Sequence, residues 1–164
     1  MNPKASVSAT LDTTVGRCAI SLEPLDTKKI IDSVGDDGAG AIAVFIGTTR
    51  NSFQGKVVTR LEYQAYSKLA IKTMAAIMEE VCNSVASQNT SGIKPQIRCT
   101  VVHRIGVVPV GEPSIVIAVS SPHRKEAFKA CESILEDVKK QAQIWKREYY
   151  EGIPDEQAEW KANT

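Results

Sequence analysis

The sequence predicts an α+β fold: one domain in which a mixed sheet carries two main packed helices. Three observations predict it. Short apolar or alternating runs at 41–46, 56–63, 97–102 and 114–120 have the length and composition of strands. Two longer stretches repeat their apolar residues at helical spacing instead, with Ala70, Met74, Ile77, Val81 and Val85 in one and Ala127, Cys131, Ile134 and Val138 in the other. No linker or internal repeat separates the two kinds of segment, and 164 residues suffice for one core without a metal or disulfide staple.

The elements follow in chain order. Residues 1–15 are polar and Ser/Thr-rich and read as a flexible tail, which leaves 16–164 as the domain. Arg17–Leu22 is a short strand. Asp26 can cap a helix through Val34, and the Gly35–Gly40 cluster ends it. Ala41–Ile46 is short and wholly apolar, as a buried strand is. A polar loop over 47–55 leads to the strand at 56–63 and then the helix at 67–86. After a loop at 88–95, two strands flank the connection 106–113, and Ser121-Pro122 reads as an N-cap followed by proline in the first helical turn. Residues 151–164 are polar apart from Ile153 and Trp160.

Composition excludes several function classes. Twenty Lys/Arg against nineteen Asp/Glu leave a net charge of +1, so the chain is neither a globally basic nucleic-acid binder nor a polyacidic tail. No apolar run is long enough to cross a membrane and no secretory leader is visible, so an intracellular protein is expected. Cys18, Cys82, Cys99 and Cys131 form no CxxC pair and fit no zinc spacing; they read as free, mostly buried thiols, with no metal and no cofactor.

Three segments can carry chemistry. In Ser121–Phe128 (SPHRKEAF), His123 and Arg124 lie at a helix start, where free N–H groups and the helix dipole favour an anion. A solvated helix start is the plainer reading of the same residues. In Asp137–Glu148 (DVKKQAQIWKRE), Lys139, Lys140, Lys146 and Arg147 surround Ile144 and Trp145. Lysines at a helix end also simply satisfy its carbonyls, but that accounts less well for Trp145 followed by Lys146. From His123 to Glu148 seven Lys/Arg meet five Asp/Glu, a surplus suited to a small anion rather than a polyanion. In the third segment Gly47 and Arg50 follow the apolar strand, without the spacing of a P-loop. A cluster of Lys139, Lys146, Arg124 and Arg50 would lower the pKa of a lysine and would repel itself unless an anion bound. His103-Arg104 reads equally well as a structural pair at a strand edge.

Five stretches in this order resemble the large (catalytic) subunit family of molybdopterin synthase: Gly40–Arg50 (GAIAVFIGTTR), Leu61–Tyr66 (LEYQAY), His103–Ser114 (HRIGVVPVGEPS), Ser120–Phe128 (SSPHRKEAF) and Ile144–Glu148 (IWKRE). The resemblance runs from Cys18 to Trp160. It implies an α/β hammerhead fold and a cytoplasmic sulfurtransferase of molybdenum cofactor biosynthesis. Such an enzyme converts cyclic pyranopterin monophosphate (precursor Z) to molybdopterin by building the dithiolene. The sulfur comes from the C-terminal thiocarboxylate of a small ubiquitin-like subunit. A homodimer of large subunits then sits at the centre of a heterotetramer.

Residue by residue, the resemblance implies that Lys139 and Lys146 are catalytic. It implies that Phe45, Arg50, His123, Arg124, Arg147 and Glu148 contact the pterin phosphate, with Lys139 activating the thiocarboxylate and Lys146 assisting proton transfer. Two departures concern fine geometry: Gln143 stands where the family commonly has proline, and Gln64 where it commonly has glutamate. Two other readings compete: a non-catalytic module that binds a partner's C-terminal tail, and a regulator that binds small anions or nucleotides.

Overall fold

Two five-stranded sheets share one core, and the joint between them holds the site. The computed structural model describes residues 3–89 and 92–163; residues 1–2 of the expected tail, 90–91 of the expected loop and 164 lie outside the described residues. The strands are β1 (Ala9–Thr13), β2 (Gly16–Ser21), β3 (Ala41–Thr48), β4 (Ser52–Phe53), β5 (Lys56–Ala65), β6 (Arg98–Arg104), β7 (Gly106–Pro109), β8 (Pro113–Ser121), β9 (Ile144–Tyr150) and β10 (Lys161–Ala162). The helices are α1 (Thr27–Asp32), α2 (Ser67–Ser87) and α3 (Arg124–Gln141). The first sheet has the order β1-β2-β6-β8-β3, with β2 parallel to β6 and the other neighbours antiparallel. The second has the order β10-β9-β5-β4, and β7 also pairs with β5.

Helices α2 and α3 cover one face of the first sheet. Met74, Met78 and Val81 of α2 and Ala127, Cys131, Ile134 and Val138 of α3 meet Val101, Ile117 and Val119 of the strands. Tyr63, Ala65 and Ile144 bring the second sheet into the same core. On the opposite face Ile30 and Val34 pack on Val116 and Ala118, with α1 capped by Asp26, whose side chain accepts from the Lys29 N–H at 3.0 Å. Strand β8 is buried on both faces, which explains its unbroken apolar run. All four cysteines are buried free thiols, and burial pushes Cys18 and Cys131 up to about 11.

Four expectations are corrected. Residues 9–13 are not tail but strand β1, paired with β2 and packed through Ala9 and Leu11. Its period-two pattern is concealed by threonines, which favour strands as much as loops. The hairpin closes at Gly16, whose φ is +147° and where any Cβ would lie 1.8 Å from the Cys99 carbonyl oxygen. Ser121 does not cap α3: it ends β8 opposite Ala41, and the helix begins at Arg124 after His123. Residues 106–109 are strand β7 rather than plain connection. Finally, Ile144–Tyr150 is a strand rather than a helix end, because Ala142 turns to extended backbone with ψ of 140°.

Candidate active site

Strand β9 alternates by two residues, and this alternation builds the site. Lys146 pairs with Tyr63 and Glu148 with Leu61, so these four side chains share the inner face of the second sheet. They line a cavity of about 270 Å³ together with Phe45, Gly47 and Arg50 from β3 and its following loop, and Leu135 and Lys139 from α3. Leu135 and Lys139 are one helical turn apart on one face, which aims the lysine at the sheet joint. Gly47 keeps the aromatic wall in place, since a Cβ there would lie 2.8 Å from Ile115 Cγ2 and 3.2 Å from Phe45 Cε1. Arg50 lies over the Phe53 ring at 5.5 Å.

The electrostatics single out Lys146. Burial holds its amine below the ordinary lysine range, and Lys139, Arg50 and Lys161 push the same way, while Glu148 pulls upward. Lys146 Nζ and Glu148 Oε1 are 3.9 Å apart, and Glu148 Oε2 accepts from the Tyr150 hydroxyl. A half-buried amine among cations, beside one carboxylate, can bind an anion and gives up its proton more readily than an exposed lysine.

His103 forms part of the floor and is fully buried. Its Nδ1 is 2.8 Å from the Arg104 carbonyl oxygen, which can only accept, so Nδ1 carries the proton. Nε2 is then an acceptor, and Asn163 Nδ2 donates to it at 3.0 Å. Desolvation lowers the His103 pKa to about 4.

Not every expected site residue lies in this cavity. Arg147 faces the other way: its Nε donates to Glu62 Oε2 at 2.8 Å, and its guanidinium lies 4.7 Å from the Trp160 ring and 5.1 Å from that of Tyr149. Its expected place beside Lys146 is therefore corrected, because neighbours along a strand point to opposite faces. Trp145 is on that outer face too, edge-on to Tyr66 at 5.5 Å, and so does not anchor Lys146. His123 and Arg124 line a separate shallow recess with Gly40, Pro122 and Lys125. They stand at the opposite end of α3 from Lys139, about 22 Å away at ~1.5 Å per residue. Among the described residues no group of three or more His, Cys, Asp or Glu gathers as a metal site, and no helix is long and apolar enough to cross a membrane.

A family model described as MoaE protein matches residues 20–141. The chain belongs to the MoaE protein family. Among curated relatives of the MoaE chain, the molybdopterin synthase catalytic subunit of Pyricularia oryzae is 45% identical over 148 residues, covering 89% of this chain and 75% of that protein. The X-ray structure of molybdopterin synthase from Staphylococcus aureus matches with a TM-score of 0.74 and 33% identity, over 87% of this chain and 94% of that one. A Helicobacter pylori complex of subunits 1 and 2 of molybdopterin-converting factor contains the same fold, with a TM-score of 0.64 and 22% identity over 83% of this chain and 86% of that one.

Within the MoaE frame the two departures find their places. Gln143 holds its turn by hydrogen bonds rather than by a proline ring: its Oε1 accepts from Thr73 Oγ1 at 2.9 Å and its Nε2 donates to the Gln141 carbonyl at 3.0 Å. Gln64 lies on the outer face of β5, away from the lysine cavity, since Tyr63 beside it points inward. Sequence reasoning missed His103, Asn163, Tyr63 and Lys161 as neighbours of Lys146. The alternation of Lys161 and Asn163 in WKAN was the available signal.

Proposed function

We propose that this MoaE chain is the catalytic large subunit of a molybdopterin synthase. It converts cyclic pyranopterin monophosphate to molybdopterin with sulfur from the C-terminal thiocarboxylate of a small ubiquitin-like subunit. The observation that carries the reading is the cavity that joins Lys139, Lys146 and Arg50 in a chain whose curated relatives are named for this reaction. The buried thiols also support an external sulfur donor: Cys18, Cys82, Cys99 and Cys131 belong to the core, and none lines the cavity.

Each transfer forms a carbon–sulfur bond to the pterin side chain in place of a carbon–oxygen bond, whose oxygen leaves as water or with the opened phosphate ester. Water then cleaves the acyl–sulfur bond and returns the small subunit with an ordinary carboxylate. Lys139 and Arg50 attract and orient the anionic tail, and Lys146 moves the proton that accompanies sulfur addition, as its lowered pKa suits. Phe45 and Glu148 complete the walls. The setting is cytoplasmic, in keeping with four thiols and no disulfide.

The same reading includes a homodimer of large subunits at the centre of a heterotetramer, with His123 and Arg124 of one copy holding phosphate at the lysine cavity of the other. Strand β3 supports this. It is an edge strand that pairs only with β8 among the described residues, and its outward residues Ile42, Val44 and Ile46 are 46%, 38% and 41% exposed. One end of β3 adjoins the His123 recess, and the other end lines the lysine cavity. A two-fold, antiparallel contact along β3 would set each anion recess beside the lysines of the other copy.

The test is reconstitution. The chain is mixed with a thiocarboxylated small subunit and precursor Z, and molybdopterin is assayed. Wild type forms product and Lys139→Ala, still folded, does not. Tight binding of the small subunit without any product would support the tail-binding module instead.

A further inference from the structure

We infer that the C-terminal strap, residues 158–163, is a working wall of the lysine cavity, with Lys161 an additional anion-binding cation of the site and Asn163 the positioning residue that clasps it in place. The inference rests on the sulfur-transfer reading only for its turnover measurement.

The geometry is specific. After β9 the chain turns at Gly152, and Asp155 is tied to Arg60 at 2.5 Å on the outer face of the second sheet. Trp160 then lies over Arg147 on that face. Strand β10 crosses the edge, pairing Lys161 with Lys146 and Ala162 with Trp145. Directly paired residues of an antiparallel ladder share a face, so Lys161 stands on the inner side with Lys146. Asn163, two residues on, returns to the same side: its backbone N–H donates to the Ile144 carbonyl at 3.3 Å, and its amide bonds His103.

Asn163 is 8% exposed although its neighbours Lys161 and Ala162 are open to solvent. A polar residue sealed against a buried imidazole, with its amide satisfied there, is a clasp. Asn163 itself lines the lysine cavity, while Lys161 lines an adjoining cavity of about 230 Å³ that shares Phe53 and Glu148 with the first. Lys161 therefore stands beside the shared wall of the two cavities, close enough for its charge to act on Lys146.

The experiment follows Lys146 directly. Lys146 is faced by Glu148 on its own strand, Lys139 of α3, Arg50 after β3, Lys161 of β10, and Tyr63 and His103 of the floor. Its titration is read by NMR of ¹³C-labelled lysine in wild type, Lys161→Met, Lys161→Arg and Asn163→Ala. Lys161→Met and Asn163→Ala raise the Lys146 midpoint, and Lys161→Arg leaves it at the wild-type position. In turnover, Lys161→Met raises KM about tenfold while kcat stays within about twofold, as loss of one charge-assisted contact requires. An unchanged Lys146 titration in both Lys161→Met and Asn163→Ala, with Asn163→Ala lowering only Tm, would reduce the strap to packing and overturn the inference. A titration that moves in a wild-type background that forms no molybdopterin would sustain the strap and overturn the sulfur-transfer reading instead.

Discussion

Arg124 and Lys139 open and close the same helix: α3 begins at the anion recess and ends at the lysine cavity. A rigid helix cannot bring its own ends together, so one copy cannot apply both groups to one small substrate. The pairing of the two groups within one site is thus a statement about two copies. Strand β3 alongside α3 makes the same end-to-end span, and its open edge is where the proposed second copy would fit.

In the proposed reaction Lys146 handles the proton, a role that suits an amine whose pKa burial and three cations lower. Arginine at this position keeps the charge but cannot release a proton. Lys146→Arg is therefore expected to hold KM within a few-fold while kcat falls by about a hundredfold or more. Steady-state kinetics of the reconstituted enzyme measures the split. A kcat near wild type would assign Lys146 to binding alone.

His103 makes the fold sensitive to acid. Its folded pKa of about 4 lies below the ordinary value of 6.5, so the neutral ring is the form the fold favours. Its contribution is fully present above pH 6.5 and is lost as pH falls toward 4, where about 3 kcal/mol has gone. Urea denaturation across this window shows the loss. His103→Gln, which does not titrate, should flatten that part of the pH profile.

Arg147 fastens the strap from outside. It joins Glu62, Tyr149 and Trp160, with Tyr149 itself donating to Glu62 Oε2 at 2.6 Å. Arg147→Ala removes an ion pair and the stacking of a planar cation, and should lower stability by about 1–2 kcal/mol. Arg147→Lys should recover only part of it, because a lysine lacks the flat face. Chemical denaturation of both variants is the check.

Much of this architecture was legible from periodicity. Helices α2 and α3 and strand β8 are buried against one core, so their patterns are nearly pure; the wholly apolar run of β3 read as a buried strand, but β3 is an edge strand whose Ile42, Val44 and Ile46 face outward. Strand β9 was not legible, because neither of its faces is simply apolar. Lys146 and Glu148 serve the cavity on one side, while Arg147, Trp145 and Tyr149 form a cation–aromatic layer on the other. Arg147 was placed beside Lys146 for the same reason: adjacency in a motif says nothing of face until the strand is known. Strand β1 was hidden by threonines, and the role of Asn163 depends on a contact 60 positions away, which no local pattern records.

The most direct test of the central claim is complementation between two inactive variants. Lys139→Ala and Arg124→Ala are purified, mixed through a denaturation–renaturation cycle and supplied with thiocarboxylated small subunit and precursor Z. If each site takes its lysines from one copy and its anion-binding pair from the other, half of the randomly formed dimers carry one intact site. Molybdopterin formation should then return to about a quarter of the wild-type rate. A mixture as inactive as its components, although mixed dimers have formed, would contradict the account.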